Sequence, residues 1–117
     1  MAKRIAKVSY DAEEDILYVR LDRQMRDSLE VGDFTIDFSA DDRVVGLEIA
    51  NASRRLSGSL PGGANIPKLL SSIRTARFAV IESRGLVWIR IAYAILFDSV
   101  RYEPSLEVPV PQAVLAR

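Results

Sequence analysis

Several short stretches of this chain alternate apolar and polar side chains with a period of two, and no other feature restricts its fold as firmly. Leu17, Val19 and Leu21 share one side of Ile16–Leu21, Phe34, Ile36 and Phe38 share one side of Phe34–Phe38, and Val45, Leu47 and Ile49 share one side of Val44–Ala50. Successive side chains of a strand point to opposite faces, so each run describes a strand with one buried and one more polar face. Lys7–Tyr10 supplies a further strand ahead of them. Between the runs lie the polar segments 11–15, 22–33 and 41–43, rich in Asp and Glu, which are poor strand formers and good turn formers. Polar turns between alternating runs predict consecutive antiparallel hairpins, here a four-strand meander.

Beyond the meander, 57–64 (SGSLPGGA) is a turn-rich connector. In 65–74, Ile66, Leu69, Leu70 and Ile73 recur at helical spacing and Pro67 suits a first helical turn, so this segment predicts a helix lying across an apolar sheet face. Phe78–Glu82, the turn Ser83-Arg84-Gly85 and Leu86–Ile91 predict a second hairpin. Pro109 and Pro111 confine Glu107–Pro111 to an edge strand or extended tail, and Val114 and Leu115 are expected either to pack loosely or to remain disordered. The expected fold class is therefore α+β, mainly β: an antiparallel β-meander with one short helix and a second C-terminal β-hairpin. At 117 residues one core suffices. The expected layout is a single domain over 1–117, with the meander at 7–55, connector and helix at 56–77, and hairpin and edge strand at 78–111.

Composition narrows the chemistry. The chain has no cysteine, which removes disulfides, thiolate metal ligands and thiol nucleophiles, and no histidine, which removes the commonest general base and transition-metal ligand. Ser and Thr have no histidine to activate them, and Gly62-Gly63 lacks the Lys-Ser/Thr ending of a phosphate loop. The longest apolar run, Ile91–Phe97, is too short to span a bilayer, and the basic start of the chain lacks the apolar region of a signal peptide, so a cytoplasmic location is expected. Formal charge balances at +0, yet from Ala52 to Val80 every formal charge is positive: Arg54, Arg55, Lys68, Arg74 and Arg77.

Val8-Ser9-Tyr10-Asp11, Asp15 through Leu21, Asp37, and Val44 through Ile49 with Ala52-Ser53 follow one another in an ordered series that resembles the domain of unknown function 2283 family, over roughly residues 7 to 55. Members of that family look like small antiparallel β proteins. The resemblance implies no reaction and no cofactor, and it implies an antitoxin role for those members thought to be encoded beside small toxins. The chain departs from the pattern at Ala50-Asn51 and in its long extension after residue 56.

Three sets of residues are candidates for function. Arg20, Asp37 and Glu48 are expected on the sheet face opposite Leu17, Ile36 and Leu47, either as a register-fixing ion-pair network or, with Tyr18 and Trp88 as aromatic anchors, as a partner-binding surface. Arg54, Arg55, Lys68, Arg74 and Arg77 form an alternative nucleic-acid-binding set. Asp11, Asp15, Asp37 and Glu48 form the carboxylate set that a Mg²⁺ or Ca²⁺ site or a metal-dependent hydrolase would need, should they converge. The expectation is a non-catalytic, cofactor-free protein-interaction module, homodimeric and without membrane association. A small protein partner, an antitoxin-like or nucleic-acid-binding regulator, and a hydrolase stand as alternatives.

Overall fold

A computed structural model describes residues 4–111; the tail residues Val114 and Leu115 lie outside the described residues. The chain forms β1 (Arg4–Asp11), β2 (Ile16–Arg20), β3 (Asp27–Val31), β4 (Phe34–Phe38), β5 (Val44–Ala50), α1 (Ala52–Leu56), a 3-10 turn at Ser57–Ser59, and α2 (Ile66–Ser72). It continues through β6 (Thr75–Ser83), β7 (Leu86–Tyr93), β8 (Ile95–Phe97), β9 (Val100–Tyr102) and β10 (Ser105–Val110). Eight strands make one antiparallel sheet in the order β10-β7-β6-β1-β2-β5-β4-β3, and β8 and β9 pair as a separate small hairpin. The mainly β, antiparallel class matches the expectation.

Within that class the strand order departs from a simple meander. β2 pairs with β5 rather than with the next strand in sequence, and the β3–β4 hairpin lies outside β5. The physical reason is burial. β5 presents the buried Val45, Gly46, Leu47 and Ile49 and belongs in the sheet interior, whereas β3, with Asp27, Ser28 and Glu30 in five residues, tolerates the edge. The opposite edge is β10, where Pro109 stands opposite Trp88 as the proline pattern required. Tight turns at Arg84-Gly85 and Asp98-Ser99 hold both residues in the left-handed region, the twist that two-residue hairpin loops favour.

One face of the large sheet is covered. Leu17, Val19, Ile36, Leu47, Ile49, Phe78, Ile89 and Ile91 from the strands join Ala52 and Leu56 of α1, Leu69 and Leu70 of α2, and Ile73 in a single buried cluster. Val45 is buried but stands outside that cluster, beside a register irregularity between Asp37 and Phe38. α2 begins where expected: the Asn65 side chain accepts from the Lys68 N–H at 3.2 Å, and Pro67 occupies the first turn.

α1 corrects the expectation of one helix. Its N-cap residue Asn51 sits at φ 53° and makes no side-chain cap. The cap comes from a distance instead. The Ser53 N–H donates to Asp15 Oδ1 at 3.0 Å, the Ser53 hydroxyl donates to Asp15 Oδ2 at 2.7 Å, and the Ala52 N–H donates to the Asp15 carbonyl at 3.0 Å. The Tyr10 hydroxyl donates to Asp15 Oδ1 at 2.6 Å. β6 likewise begins at Thr75, three residues before the expected 78, because it pairs with β1 from Thr75 onward.

Candidate functional site

The other face of the sheet carries no helix among the described residues, and its side chains follow from register. Residues opposite one another on antiparallel strands share a face. Arg77 stands opposite Ile5, Lys7 opposite Arg20, Arg20 opposite Gly46, Gly46 opposite Asp37, Tyr18 opposite Glu48, and Thr35 opposite both Glu48 and Glu30. All of these project from the uncovered face. Read across six neighbouring strands from β6 to β3, the charged residues are Arg77, Lys7 and Arg20, then Glu48, Asp37 and Glu30, with Asp11 at the end of β1 a carboxylate on the basic side. Three cations occupy three consecutive strands and three carboxylates occupy the next three.

At the boundary the side chains touch. Arg20 Nη2 lies 3.9 Å from Glu48 Oε2, and the Arg20 guanidinium stacks over the Tyr18 ring at 4.8 Å from its centre. The expected grouping of Tyr18, Arg20, Asp37 and Glu48 is therefore present on one face. Trp88 shares that face, since it stands opposite Ile81, but it is far off. Tyr18 is opposite Ser9, and Ile81 lies four residues past Arg77, the partner of Ile5. Roughly 25 Å of strand separates the two aromatic rows.

Asp37 is the most unusual member. It is 1% exposed, and neither carboxyl oxygen has a hydrogen-bond partner among the described residues. It reaches this state through Gly46: a Cβ at Gly46 would lie 2.9 Å from Asp37 Oδ2 and 3.1 Å from the Val19 carbonyl oxygen, so the missing side chain is the notch that the carboxyl occupies. Burial, and then the adjacent Glu48 carboxylate, push Asp37 up to about 6, against a smaller opposing pull from Arg20.

The other candidate residues are placed elsewhere. Asp15 sits on the covered side as the anchor of α1; burial pushes its carboxyl up, but the hydrogen bonds from Tyr10 and Ser53 outweigh that and hold it below its ordinary value. Asp11 accepts from the Glu13 and Glu14 N–H groups at 3.0 and 3.1 Å and shapes the β1–β2 turn. Of the four carboxylates that a metal site would need, Asp37 and Glu48 are neighbours on the open face, and among the described residues no three acidic side chains gather into a possible metal-holding group. The cationic set is also divided. Arg55 Nε and Nη2 each lie 2.7 Å from Asp33 Oδ2 and Arg54 lies 3.7 Å from it, Lys68 is on α2, and Arg77 projects from the opposite face.

Residues 7–53 match the model of a family described as "Protein of unknown function (DUF2283)". Over that stretch, less than half of its length, the chain is similar to this family. No curated protein and no solved structure matches the chain. The matched segment runs from β1 to the first residues of α1, so the family signature acquires a physical reading. Tyr10, Asp15 and Ser53 bind the first hairpin to α1 on one side of the DUF2283 segment, and Asp37, Gly46 and Glu48 form the acidic half of the open face on the other. Sequence reading missed Lys7, Glu30 and Arg77 as members of that face; the signal for each was its odd or even position within its strand, which is informative only once the register between strands is known.

Proposed function

We propose that the chain is a non-catalytic interaction module that self-associates through its open sheet face. The observation that carries this reading is the polarity of the face: cations on β6, β1 and β2, carboxylates on β5, β4 and β3. A two-fold axis parallel to the strands, at the β2–β5 boundary, lays the basic half of one copy on the acidic half of the other. Arg20 then meets the partner copy's β5, Lys7 its β4 and Arg77 its β3. Such an isologous pairing is the commonest symmetry of soluble oligomers, and stacked sheets are a standard way to cover a sheet face. The patch is about 25 Å wide across its six strands, and Tyr18 and Ile5, the latter 67% exposed, give it apolar contact area.

Charge reversal tests the reading. Lys7→Glu with Arg77→Glu reverses two of the three cations of the basic half and leaves Arg20, and Glu30→Lys with Glu48→Lys reverses two of the three carboxylates of the acidic half and leaves Asp37. Light scattering is expected to give twice the chain mass for the unaltered protein, the monomer mass for either variant alone, and a heterodimer when the two are mixed. Unaltered protein that stays monomeric at high concentration, or variants that still self-associate alone, refute it. The dimer is also expected to weaken as salt rises, because salt screens the attraction between the facing charges.

A further inference from the structure

Where the β8–β9 hairpin meets the main sheet lies a cleft of about 390 Å³. The small side chains of Ala76, Ala92 and Ala94 are among its lining, and the exposed Ile5 flanks it. Its walls carry Arg74, Arg77 and Arg101 against a single carboxylate, Glu103, a local balance of three positive charges to one negative. Glu103 is already engaged: Arg101 Nη2 donates to it at 2.9 Å, and Arg101 and then Arg77 hold its carboxyl below the ordinary value. Among the described residues, Arg74 has a 3.5 Å contact with the Ser71 carbonyl and the Arg77 side chain forms no hydrogen bond. Two guanidinium forks thus face a small, partly apolar hollow with donors uncommitted.

We propose that this cleft binds a small organic anion, its phosphate or carboxylate head held by Arg74, Arg77 and Arg101 and its ring or short chain lying against Ile5 and Ala92. Planar guanidinium groups match both kinds of head with paired hydrogen bonds, and the volume lies in the range of small-molecule pockets. A long nucleic acid fits less well. The remaining cations of the 52–80 segment are not in line with the cleft, since Arg54 and Arg55 are held by Asp33. Arg77 and Ile5 serve both this cleft and the self-association face, so the test leaves both unchanged.

The test is calorimetric titration of the full chain with phenyl phosphate, benzoate, benzyl alcohol and inorganic phosphate, and with a ten-nucleotide RNA, repeated on Arg74→Ala with Arg101→Ala. Saturable binding of phenyl phosphate or benzoate, at least tenfold weaker in the double variant while its melting temperature is retained, supports the site, and the tighter of the two identifies the head. Binding by the neutral alcohol equal to that of the anions, or by inorganic phosphate equal to that of phenyl phosphate, overturns it. So does binding undiminished in the double variant, an absence of saturable binding, or RNA binding tighter than any small anion. The oligomeric state, read on the same samples, reports on the self-association reading separately.

Discussion

Asp15→Ala is expected to destabilise the chain by roughly 3–4 kcal/mol, the largest single effect of any polar substitution in the DUF2283 segment. The carboxylate accepts three hydrogen bonds, from the Tyr10 hydroxyl, the Ser53 N–H and the Ser53 hydroxyl. Hydrogen bonds to a charged group contribute about 1.5–3 kcal/mol each when taken singly, and they do not add fully because they share one acceptor. The same substitution uncaps α1, worth about 1 kcal/mol, and places alanine at φ 57°, a left-handed conformation that aspartate and asparagine tolerate better. Asp15→Asn, which keeps the shape and the backbone preference, is expected to lose about half as much. Chemical denaturation measures both. The tyrosine absorbance supplies an independent readout: burial and then Asp15 push the Tyr10 phenol up to about 12, and without the carboxylate it should ionise at a lower pH. An Asp15→Ala protein as stable as the parent would remove Asp15 as the anchor of α1. The pH dependence has a definite sign. Because the folded-state value of Asp15 lies below the 3.8 of a free carboxyl, its stabilisation is present at neutral pH and is lost as pH falls through the folded value.

The same residue shows where sequence reading stops. α2 was legible because its signals are local: Asn65 accepts from the Lys68 N–H, Pro67 sits in the first turn, and Leu69 and Leu70 follow at helical spacing. α1 was not, because its cap is 38 residues away in sequence. β2, β4 and β5 were legible from alternation. β3 was not, because only Leu29 and Val31 mark its inner face amid charge. The strand order depends on which strand is most apolar relative to the others, and a turn-by-turn reading misses such a comparison. For the open face, alternation put Arg20, Asp37 and Glu48 together correctly. It also admitted Trp88, which has the right parity but lies at a distant level of the sheet, and it omitted Lys7 and Arg77, whose place depends on the β1–β6 pairing.

Gly46→Ala is expected to destabilise the fold by about 2 kcal/mol, although alanine ordinarily stabilises a chain relative to glycine by about 0.4–1 kcal/mol through the unfolded state. The added methyl would meet Asp37 Oδ2 at 2.9 Å and the Val19 carbonyl oxygen at 3.1 Å, and the second of these is backbone held in the β2–β5 ladder. Asp37→Ala in the same chain removes the first contact and leaves the second. The double variant should therefore recover part of the loss, with a coupling on the order of 1 kcal/mol in a double-mutant cycle; strict additivity would mean that Gly46 does not accommodate Asp37. The notch also accounts for the direction of the Asp37 titration. Asp37 moves from 3.8 when free to about 6 when folded, so between those values the native state holds the proton that the unfolded chain has released. Its contribution is favourable and fully present below about pH 4, and it is lost as pH rises through 6, a change on the order of 2–3 kcal/mol. Asp37→Asn should abolish that slope between pH 4 and 7 and leave the protein more stable than the parent at pH 8. A parent whose stability is flat across pH 4 to 7 would show that the Asp37 carboxyl is solvated, and the acidic half of the open face would then carry its full charge at every pH in that range.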